Sequence, residues 1–305
     1  MAKNEIAIEP KSFDPYERAV IEAGGKLATM NSAVEAVIWT DYSQPSGLSK
    51  LLDENPQVRW VQLPFAGVDA FSEVIKRPIR FTSAKGSYSE PVAEHALALA
   101  LALGRKLPTR VKAAAWGKRE AVSFYDANIL IIGGGGIAQE LISLFAPFRA
   151  SITVVRNDPS KSLGNGIRVL GMESLPEEVG KAQLVVIACA LTERTRGLFD
   201  YSLLSRLNRE AFLINVARGP IVVTADLIRA LDEKLLAGAA LDVTDPEPLP
   251  DGHPLFGRDD LIITPHTADT KEIVTRLFAL RIGENVRAYL GSGNWVGEVD
   301  PGLGY

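Results

Sequence analysis

Short apolar runs recur along the chain, separated by segments in which apolar residues return at helical spacing. The clearest run is residues 129–132, which is followed by four glycines and then by helical spacing as far as Phe145. An unbroken apolar run of this length is typical of a strand buried on both faces of a parallel sheet. The other predicted strands are residues 5–9, 36–40, 58–63, 79–82, 151–155, 184–188, 212–216, 239–241 and 261–264. The predicted helices lie near 16–23 and 47–52, over 91–104, from 137 onward, and over 271–290.

This alternation of strands and helices predicts an α/β protein. The strands from residue 129 onward favour a doubly wound parallel sheet, and those in the first hundred residues favour a separate α/β unit. If the helix over residues 271–290 returns to the first unit, the second unit is an insertion in the first. The sequence leaves that crossing open.

The glycines after the run at 129–132 match a dinucleotide-binding pattern. Gly133, Gly135 and Ala138 fit G-x-G-x-x-[GA], in which the first glycine allows a tight turn and the second lets the backbone approach a pyrophosphate. Gly136 and Ile137 then open a helix whose N–H groups would face that pyrophosphate. Any tight strand-to-helix turn can use glycines, but the strand before and the helix after favour dinucleotide binding here.

The end of the next strand bears on which dinucleotide is bound. NAD-binding folds usually carry an acidic residue there for the ribose 2′-hydroxyl, whereas this chain has Arg156 followed by Asn157. A guanidinium binds phosphate through paired donors, so we predict a preference for NADP. In the alternative interpretation Arg156 is a solvated loop residue and Asp158 reaches the ribose.

Composition limits the other possibilities. A chain of 305 residues can form two domains, and its net charge of −4 gives no reason to expect a nucleic-acid partner. Cys189 is the single cysteine, so no intrachain disulfide forms, and no cysteine or histidine cluster has metal-ligand spacing. The N-terminus lacks the apolar core of a signal peptide, and the apolar run at 96–103 is too short to span a membrane. We expect a cytoplasmic protein without a membrane partner or a metal.

Two further segments carry candidate residues. The loop Pro64–Val68 directly follows a strand, and its small residues leave N–H groups that could hold an anion such as a carboxylate. An ordinary turn explains this loop equally well.

The helix over residues 91–104 is apolar nearly all round, which predicts a buried linker helix. His95 within it is interpreted as a hydrogen-bonded core residue, and Trp116 beyond it either packs in the core or covers a partner or a site.

Chemically distinctive residues follow the later strands of the predicted sheet. Arg218 follows the strand at 212–216, Asp242 and Glu247 follow the next, and His266 follows the last. Ligands of such sheets bind beyond the carboxyl ends of the strands. An arginine can bind a substrate carboxylate and polarise its carbonyl, a histidine can exchange a proton, and a glutamate beside it would stabilise the imidazolium. Each residue has a structural explanation alone, but together they predict reduction of a 2-oxo acid.

Several motifs, in order, resemble those of the D-isomer-specific 2-hydroxyacid dehydrogenase family, which contains glyoxylate/hydroxypyruvate reductases and phosphoglycerate dehydrogenases. The resemblance extends from Val61 to Tyr305. The motifs are FAGVD (65–69), PVAEHALAL (91–99), GGGGIA (133–138), ALTERTRGL (190–198), NVARGP (215–220), ALDVTDPEPLP (240–250), TPHTA (264–268) and VDPGLGY (299–305).

The resemblance implies a fold and a set of roles. It implies a Rossmann-type cofactor domain over 99–274 and a smaller, discontinuous, flavodoxin-like substrate domain over 1–98 and 275–305, with homodimers joined through the cofactor domain. Arg218, Glu247 and His266 would be catalytic, and Ala66 and Gly67 would hold the substrate carboxylate. The residues that would contact the cofactor, from the residues and the resemblance together, are Gly133, Gly135, Gly136, Ile137, Arg156, Asn157, Cys189, Ala190, Thr192, Ala217 and Asp242.

The chain also departs from the family pattern. Asp269 stands where a glycine is common after the histidine, and it either points inward, toward the histidine and the substrate tail, or only caps the following helix. Our leading hypothesis is an NADP-preferring reductase of glyoxylate or hydroxypyruvate that yields the D-hydroxy acid. The alternatives are an NAD-dependent dehydrogenase of a bulkier D-2-hydroxy acid, with Phe65, Tyr88 and Trp116 as pocket walls, and a dinucleotide-sensing binding protein resembling the family's corepressors.

Overall fold

Two compact units make up the chain. The structure, a computed structural model, describes residues 4–42 and 44–302. The first unit comprises Met1–Tyr88 and Thr270–Tyr305, and the second comprises Ser89–Asp269. The chain therefore first passes from one unit to the other at 88/89, where a helix begins. The predicted boundary at 98/99 would have placed this crossing within the helix. The second crossing falls just before another helix, at 269/270 and not at 274/275.

Within the described residues, all paired strands run parallel to their neighbours in two sheets. The strands are β1 (Glu5–Glu9), β2 (Lys26–Leu27), β3 (Ala36–Trp39), β4 (Trp60–Gln62), β5 (Arg80–Thr82), β6 (Asn128–Ile132), β7 (Ser151–Val155), β8 (Arg168–Leu170), β9 (Leu184–Ile187), β10 (Phe212–Asn215), β11 (Gly238–Leu241) and β12 (Leu261–Ile263). The helices are α1 (Asp14–Glu22), α2 (Pro45–Glu54), α3 (Ser89–Gly104), α4 (Leu107–Arg110), α5 (Gly136–Phe145), α6 (Leu175–Glu178), α7 (Tyr201–Leu204), α8 (Thr224–Asp232) and α9 (Lys271–Tyr289).

The sheet of the second unit has seven strands in the order β12-β11-β10-β9-β6-β7-β8. The order reverses beside β6, which is the topology of a Rossmann-type doubly wound sheet. Because all seven strands are parallel, the residues after β6, β9, β10, β11 and β12 share one edge of the sheet. Each of the strands β6, β9, β10 and β11 is buried over nearly its whole length, as their unbroken apolar sequences predicted.

The sheet of the first unit has five strands in the order β2-β1-β3-β4-β5, which is the flavodoxin-like order. The C-terminal segment completes this unit. Helix α9 packs against α1, and its Asn285, fully buried, donates a 2.7 Å hydrogen bond to Oε1 of Gln62 on β4. Trp60 of the same strand stacks on Tyr289, with ring centroids 5.3 Å apart.

Helix α3 is the apolar helix that the sequence predicted to be buried. In the second unit it packs against α5 and against β10 and β11. Ala93, Ala96 and Ala100 are fully buried, and side chains this small allow close contact with the neighbouring elements. No helix of the described residues is both long enough and apolar enough to cross a membrane.

Two strands, β2 and β8, were not predicted from the sequence. Lys26–Leu27 has only two residues, and Arg168–Leu170 has three, of which the first is a charged residue. Both lie at an edge of their sheet, where one side is not enclosed by strands and an apolar run is not needed. Their sequences therefore carry too little pattern to be recognised.

Candidate active site and cofactor loop

The glycine loop lies between β6 and α5, at the edge of the second sheet where the strand order reverses. Gly133 has φ +107°, and a Cβ there would lie 2.5 Å from the carbonyl oxygen of Ala188 after β9, so both backbone conformation and space require glycine. A Cβ at Gly135 would meet nothing within 4 Å. The backbone at Gly135 and at the start of α5, which begins with Gly136 and Ile137, is therefore open to a ligand, as a pyrophosphate needs.

Arg156 follows β7 and its side chain lies against the same loop. A Cβ at Gly134 would lie 2.8 Å from Cδ and Nη1 of Arg156 and 2.9 Å from its Cζ. Asn157 is exposed beside it. The carboxylate of Asp158 accepts hydrogen bonds from the backbone N–H and the hydroxyl of Ser160 at 3.1 and 2.5 Å, and these bonds lower the pKa of Asp158. Arginine is therefore the side chain in contact with the glycine loop, and Asp158 is engaged within its own turn.

The loop after β9 contains three predicted cofactor residues, Cys189, Ala190 and Thr192. The buried hydroxyl of Thr195 holds this loop: it donates to the carbonyl of Ala190 at 2.8 Å and accepts from the N–H of Thr192 at 2.8 Å. Burial raises the pKa of the Cys189 thiol to about 12, so the thiol stays protonated. The sequence did not predict a role for Thr195, although it lies inside the ALTERTRGL motif (190–198).

Arg218 is presented by a turn whose shape Asn215 fixes. The Asn215 side chain, fully buried, accepts from the N–H of Ala217 at 3.1 Å and donates to the carbonyl of Arg218 at 3.0 Å. A Cβ at Gly219 would collide with the carbonyl of Thr244, so only glycine fits there. The guanidinium of Arg218 donates to the Ala217 carbonyl at 2.8 Å.

Glu247 and His266 form a direct pair. Nδ1 of His266 lies 2.7 Å from Oε1 of Glu247, and the two side chains are 44% and 42% exposed. Their residues follow β11 and β12, so the sheet brings them together from positions 19 apart in the chain. With Nδ1 turned to Glu247, Nε2 is the nitrogen through which the imidazole can exchange a proton with a ligand.

Asp242, which directly follows β11, is buried with 2% exposure. Its Oδ1 accepts from the hydroxyl of Thr264 at 2.6 Å and from the N–H of Thr267 at 2.9 Å, and its Oδ2 accepts from the N–H of Ala268 at 3.1 Å. Burial raises the pKa of this carboxyl, but these bonds and one from His95 outweigh burial and lower it to about 2. Asp242 is thus an ionised anchor for the segment around His266.

His95 is the residue whose part in this site the sequence did not reveal. Its Nε2 lies 3.0 Å from Oγ1 of Thr264 and 3.3 Å from Oδ1 of Asp242. It is hydrogen-bonded, as its interpretation as a core residue required, but its partners belong to the candidate site. Only the fold brings α3 against β11 and β12, and no spacing in the sequence signals this contact.

Asp269 has a half-buried carboxyl on which charges of the candidate site act. Burial raises the pKa of its carboxyl; the charge of Asp242 raises it further, while His266 and Arg218 lower it. The cap of α9 is instead Thr270, whose hydroxyl accepts from the N–H of Ile273. Of the two interpretations of Asp269, capping is therefore wrong.

The predicted substrate loop lies in the first unit, after β4. Ala66 and Gly67 are half-buried within it, and the loop is tied on both sides: the hydroxyl of Tyr88 donates to the Pro64 carbonyl at 2.8 Å, and the N–H of Ala84 donates to the Phe65 carbonyl at 2.9 Å. Burial lowers the pKa of nearby Lys85.

Trp116 is not a core residue, because it is 90% exposed. Among residues 4–42 and 44–302, no three histidine, cysteine, aspartate or glutamate side chains are grouped so that they could hold a metal ion.

Comparison with known proteins identifies the family. Residues 97–268, more than half of the chain, match the family model described as "D-isomer specific 2-hydroxyacid dehydrogenase, NAD binding domain". The chain belongs to this family. The matched residues include the glycine loop, Arg156, Arg218, Glu247 and His266, and the protein is accordingly an NAD(P)-dependent oxidoreductase of the D-2-hydroxyacid dehydrogenase class.

The similarity of this dehydrogenase to its relatives covers nearly its whole length. A protein of Corynebacterium melassecola named "Uncharacterized protein in proB 3'region" is 33% identical over 94% of this chain and 95% of its own. The glyoxylate reductase/hydroxypyruvate reductase of Homo sapiens is 27% identical over 92% of this chain and 85% of its own. A D-isomer specific 2-hydroxyacid dehydrogenase of Xanthobacter autotrophicus Py2, solved with NADPH and MES, has a TM-score of 0.86 at 25% identity and covers 99% of both chains.

Proposed function

We propose that the protein is an NADP-preferring reductase of small 2-oxo acids of the glyoxylate or hydroxypyruvate class, yielding the D-2-hydroxy acid. The observation that carries this proposal is the 2.7 Å pair of His266 and Glu247 at the edge of the sheet that carries the glycine loop. A histidine in contact with a carboxylate is suited to give a proton to a developing alkoxide.

The residues present fit a dinucleotide. Gly133 allows the tight turn and Gly135 leaves the backbone open at the start of α5, and the loop held by Thr195 adds Cys189, Ala190 and Thr192 along the same edge. These residues, with Ala217, would hold the cofactor. When bound, NADP(H) supplies the hydride of the reaction.

His266 and Glu247 divide the proton chemistry between them. In the reducing direction His266 gives a proton from Nε2 to the substrate oxygen, and in the oxidising direction it takes the proton back. Glu247 fixes the tautomer and the ring orientation through Nδ1 and stabilises the imidazolium form.

Arg218 is assigned to the substrate carboxylate and carbonyl. Its guanidinium is always charged and presents paired donors that match a carboxylate. The turn fixed by Asn215 and Gly219 holds the arginine backbone, so orientation does not have to be gained on binding. Ala66 and Gly67 of the first unit are proposed to bind a substrate carboxylate through backbone N–H groups. On this proposal the first unit is the substrate domain and the second the cofactor domain.

The preference for NADP is proposed from the side chain that contacts the glycine loop. Arg156 offers a guanidinium to a 2′-phosphate, while the Asp158 carboxylate is occupied by Ser160. The Xanthobacter relative, solved with NADPH, is consistent with this choice.

A second candidate substrate class is favoured by a specific observation. Phe65 of the proposed substrate loop packs edge-on against Tyr42 at 5.0 Å and lies 6.3 Å from Tyr88. Such aromatic walls suit a bulkier, apolar 2-oxo acid, in which case the cofactor could also be NAD.

The test is the initial rate of NADPH and NADH oxidation with glyoxylate, hydroxypyruvate, pyruvate and a branched 2-oxo acid, with His266→Ala as control. We expect turnover with NADPH and with glyoxylate and hydroxypyruvate, and its loss in the control. Preference for the branched acid would favour the second candidate, and preference for NADH would contradict the role of Arg156. Tight cofactor binding without turnover of any acid would favour a dinucleotide-sensing binding protein.

We propose also that the enzyme is a cytoplasmic homodimer joined through the cofactor domain. A single cysteine, with no intrachain disulfide, suits a reducing compartment, and sedimentation analysis would test the oligomeric state.

A further inference from the structure

We propose that His95 is a positioning residue for His266: it holds the carboxylate of Asp242, and Asp242 holds the backbone of the loop that carries His266. The significance of this arrangement for catalysis rests on the proposed acid/base role of His266. The arrangement itself rests on the hydrogen bonds of three side chains and three backbone N–H groups within the second unit.

The number of donor hydrogens on each neighbouring group determines that Nε2 of His95 is a donor. The hydroxyl of Thr264 has one proton, and its 2.6 Å bond to Oδ1 of Asp242 uses that proton because an ionised carboxylate is only an acceptor. Nε2 of His95 lies 3.0 Å from the same hydroxyl and 3.3 Å from the same carboxylate oxygen. Both neighbours are therefore acceptors toward His95, and Nε2 carries a hydrogen shared between them.

Asp242 needs these donors because its carboxylate is almost completely buried. An ionised carboxylate in such a position is stable only when its oxygens are hydrogen-bonded. Oδ1 takes three donors, from His95, Thr264 and Thr267, and Oδ2 takes the N–H of Ala268. Removal of the His95 donor weakens the bonds that keep the Asp242 carboxylate in place. The bonds from this carboxylate to the N–H groups of Thr267 and Ala268 are then weakened as well.

That hold bears directly on His266. His266 has φ +52°, in the left-handed region that a non-glycine residue occupies at a cost. Its N–H donates to the backbone carbonyls of Asp242 and Thr264 at 2.8 and 3.0 Å, and the next two N–H groups are those held by the Asp242 carboxylate. The strained backbone is thus held by contacts to Asp242 and Thr264, which set the direction in which the imidazole leaves the chain.

Substitutions at His95 separate the donor from the bulk of the ring. His95→Leu removes the donor, while His95→Gln places an amide nitrogen near the reach of Nε2. His95→Asn, equally polar, places its amide nitrogen near the reach of Nδ1 and falls short of Thr264. His253→Gln is the control, because the His253 side chain accepts a local bond from the N–H of Leu255 within its own turn.

The first readout does not depend on activity. Hydrogen exchange of the Thr267 and Ala268 amides in the full-length protein should accelerate about tenfold or more in His95→Leu and His95→Asn, because the local opening energy falls by about one charged hydrogen bond. The amides of β6 and α5 should be unchanged. His95→Gln and His253→Gln should exchange as the wild type does.

The second readout is kinetic. With the 2-oxo acid that the wild type reduces best, kcat should fall about tenfold in His95→Leu and His95→Asn, with KM for the cofactor within about twofold, and His95→Gln should recover most of the loss. Unchanged amide exchange in His95→Leu, or equal impairment of His95→Gln and His95→Asn, would overturn the inference. If the wild type reduces no 2-oxo acid, the proposed function fails while the exchange data still decide the role of His95. If His95→Leu does not fold, the Gln and Asn pair decides it.

Discussion

The side chain of Arg156 occupies the space above Gly134, so that a Cβ at Gly134 would lie 2.8 Å from both Cδ and Nη1 of the arginine. The contact is with the far part of a flexible side chain, so an alanine at 134 would displace the arginine without disturbing the backbone. Gly134 has no assigned role in the glycine pattern, but it controls whether Arg156 can lie across the loop.

We therefore expect Gly134→Ala to change the choice of cofactor. Arg156→Ala should lower kcat/KM for NADPH about 30-fold or more and leave that for NADH within a few-fold, because a guanidinium bond to phosphate is charge-assisted. Gly134→Ala should lower the NADPH:NADH ratio in the same direction but less. Steady-state kinetics with both cofactors at saturating 2-oxo acid measure the ratio.

The double variant is the control for this prediction. If Gly134 acts through Arg156, Gly134→Ala should add nothing to the ratio in the Arg156→Ala background. Effects of the two substitutions that multiply would show that the Cβ at 134 hinders the cofactor itself.

Asp242 makes stability depend on pH in a predictable window. Its pKa is lowered to about 2 in the folded protein, against about 3.9 in an unfolded chain. A lowered pKa means that the stabilisation is present above about pH 4 and is lost as pH falls toward 2; at order of magnitude it is about 2 kcal/mol. Asp242→Asn should abolish this contribution, because an amide NH₂ cannot accept all the donors that the carboxylate accepts.

Denaturant unfolding of wild type and Asp242→Asn between pH 3 and pH 7 measures this difference. The stability gap should be largest at pH 7 and should narrow as the pH falls. A control is Asp259→Asn, which removes an exposed aspartate elsewhere in the second unit. A gap between wild type and Asp242→Asn that is independent of pH would contradict the assignment of the charge to Asp242.

Much of the fold and part of the site could be predicted, and the division has a physical reason. Buried parallel strands such as β6 and β10 require unbroken apolar residues, so their positions are visible in the sequence, as is the turn that needs glycine at 133. His95, Asn215 and Thr195 were not recognised as parts of the site because their partners lie elsewhere in the chain or on a backbone whose path the pattern does not specify. Nor did the sequence show that Thr270, and not Asp269, caps α9.

Asp269 is expected to limit the charge of the substrate. Its half-buried carboxylate shares its surroundings with His266 and Arg218, so a second negative charge on a 2-oxo acid would meet repulsion beside the arginine that binds the first. Asp269→Asn should raise kcat/KM for oxaloacetate relative to glyoxylate about tenfold, a difference of about 1.4 kcal/mol.

Because the pKa of Asp269 is raised by burial, kcat/KM of the wild type for oxaloacetate relative to glyoxylate should itself rise as pH falls toward that pKa, while Asp269→Asn should show no such change. Initial rates with both acids between pH 5 and pH 8 measure the ratio, with Asp259→Asn as the control for loss of a remote negative charge. An equal gain in that control would assign the effect to net charge, and an unchanged ratio in Asp269→Asn would show that the carboxylate does not face the substrate.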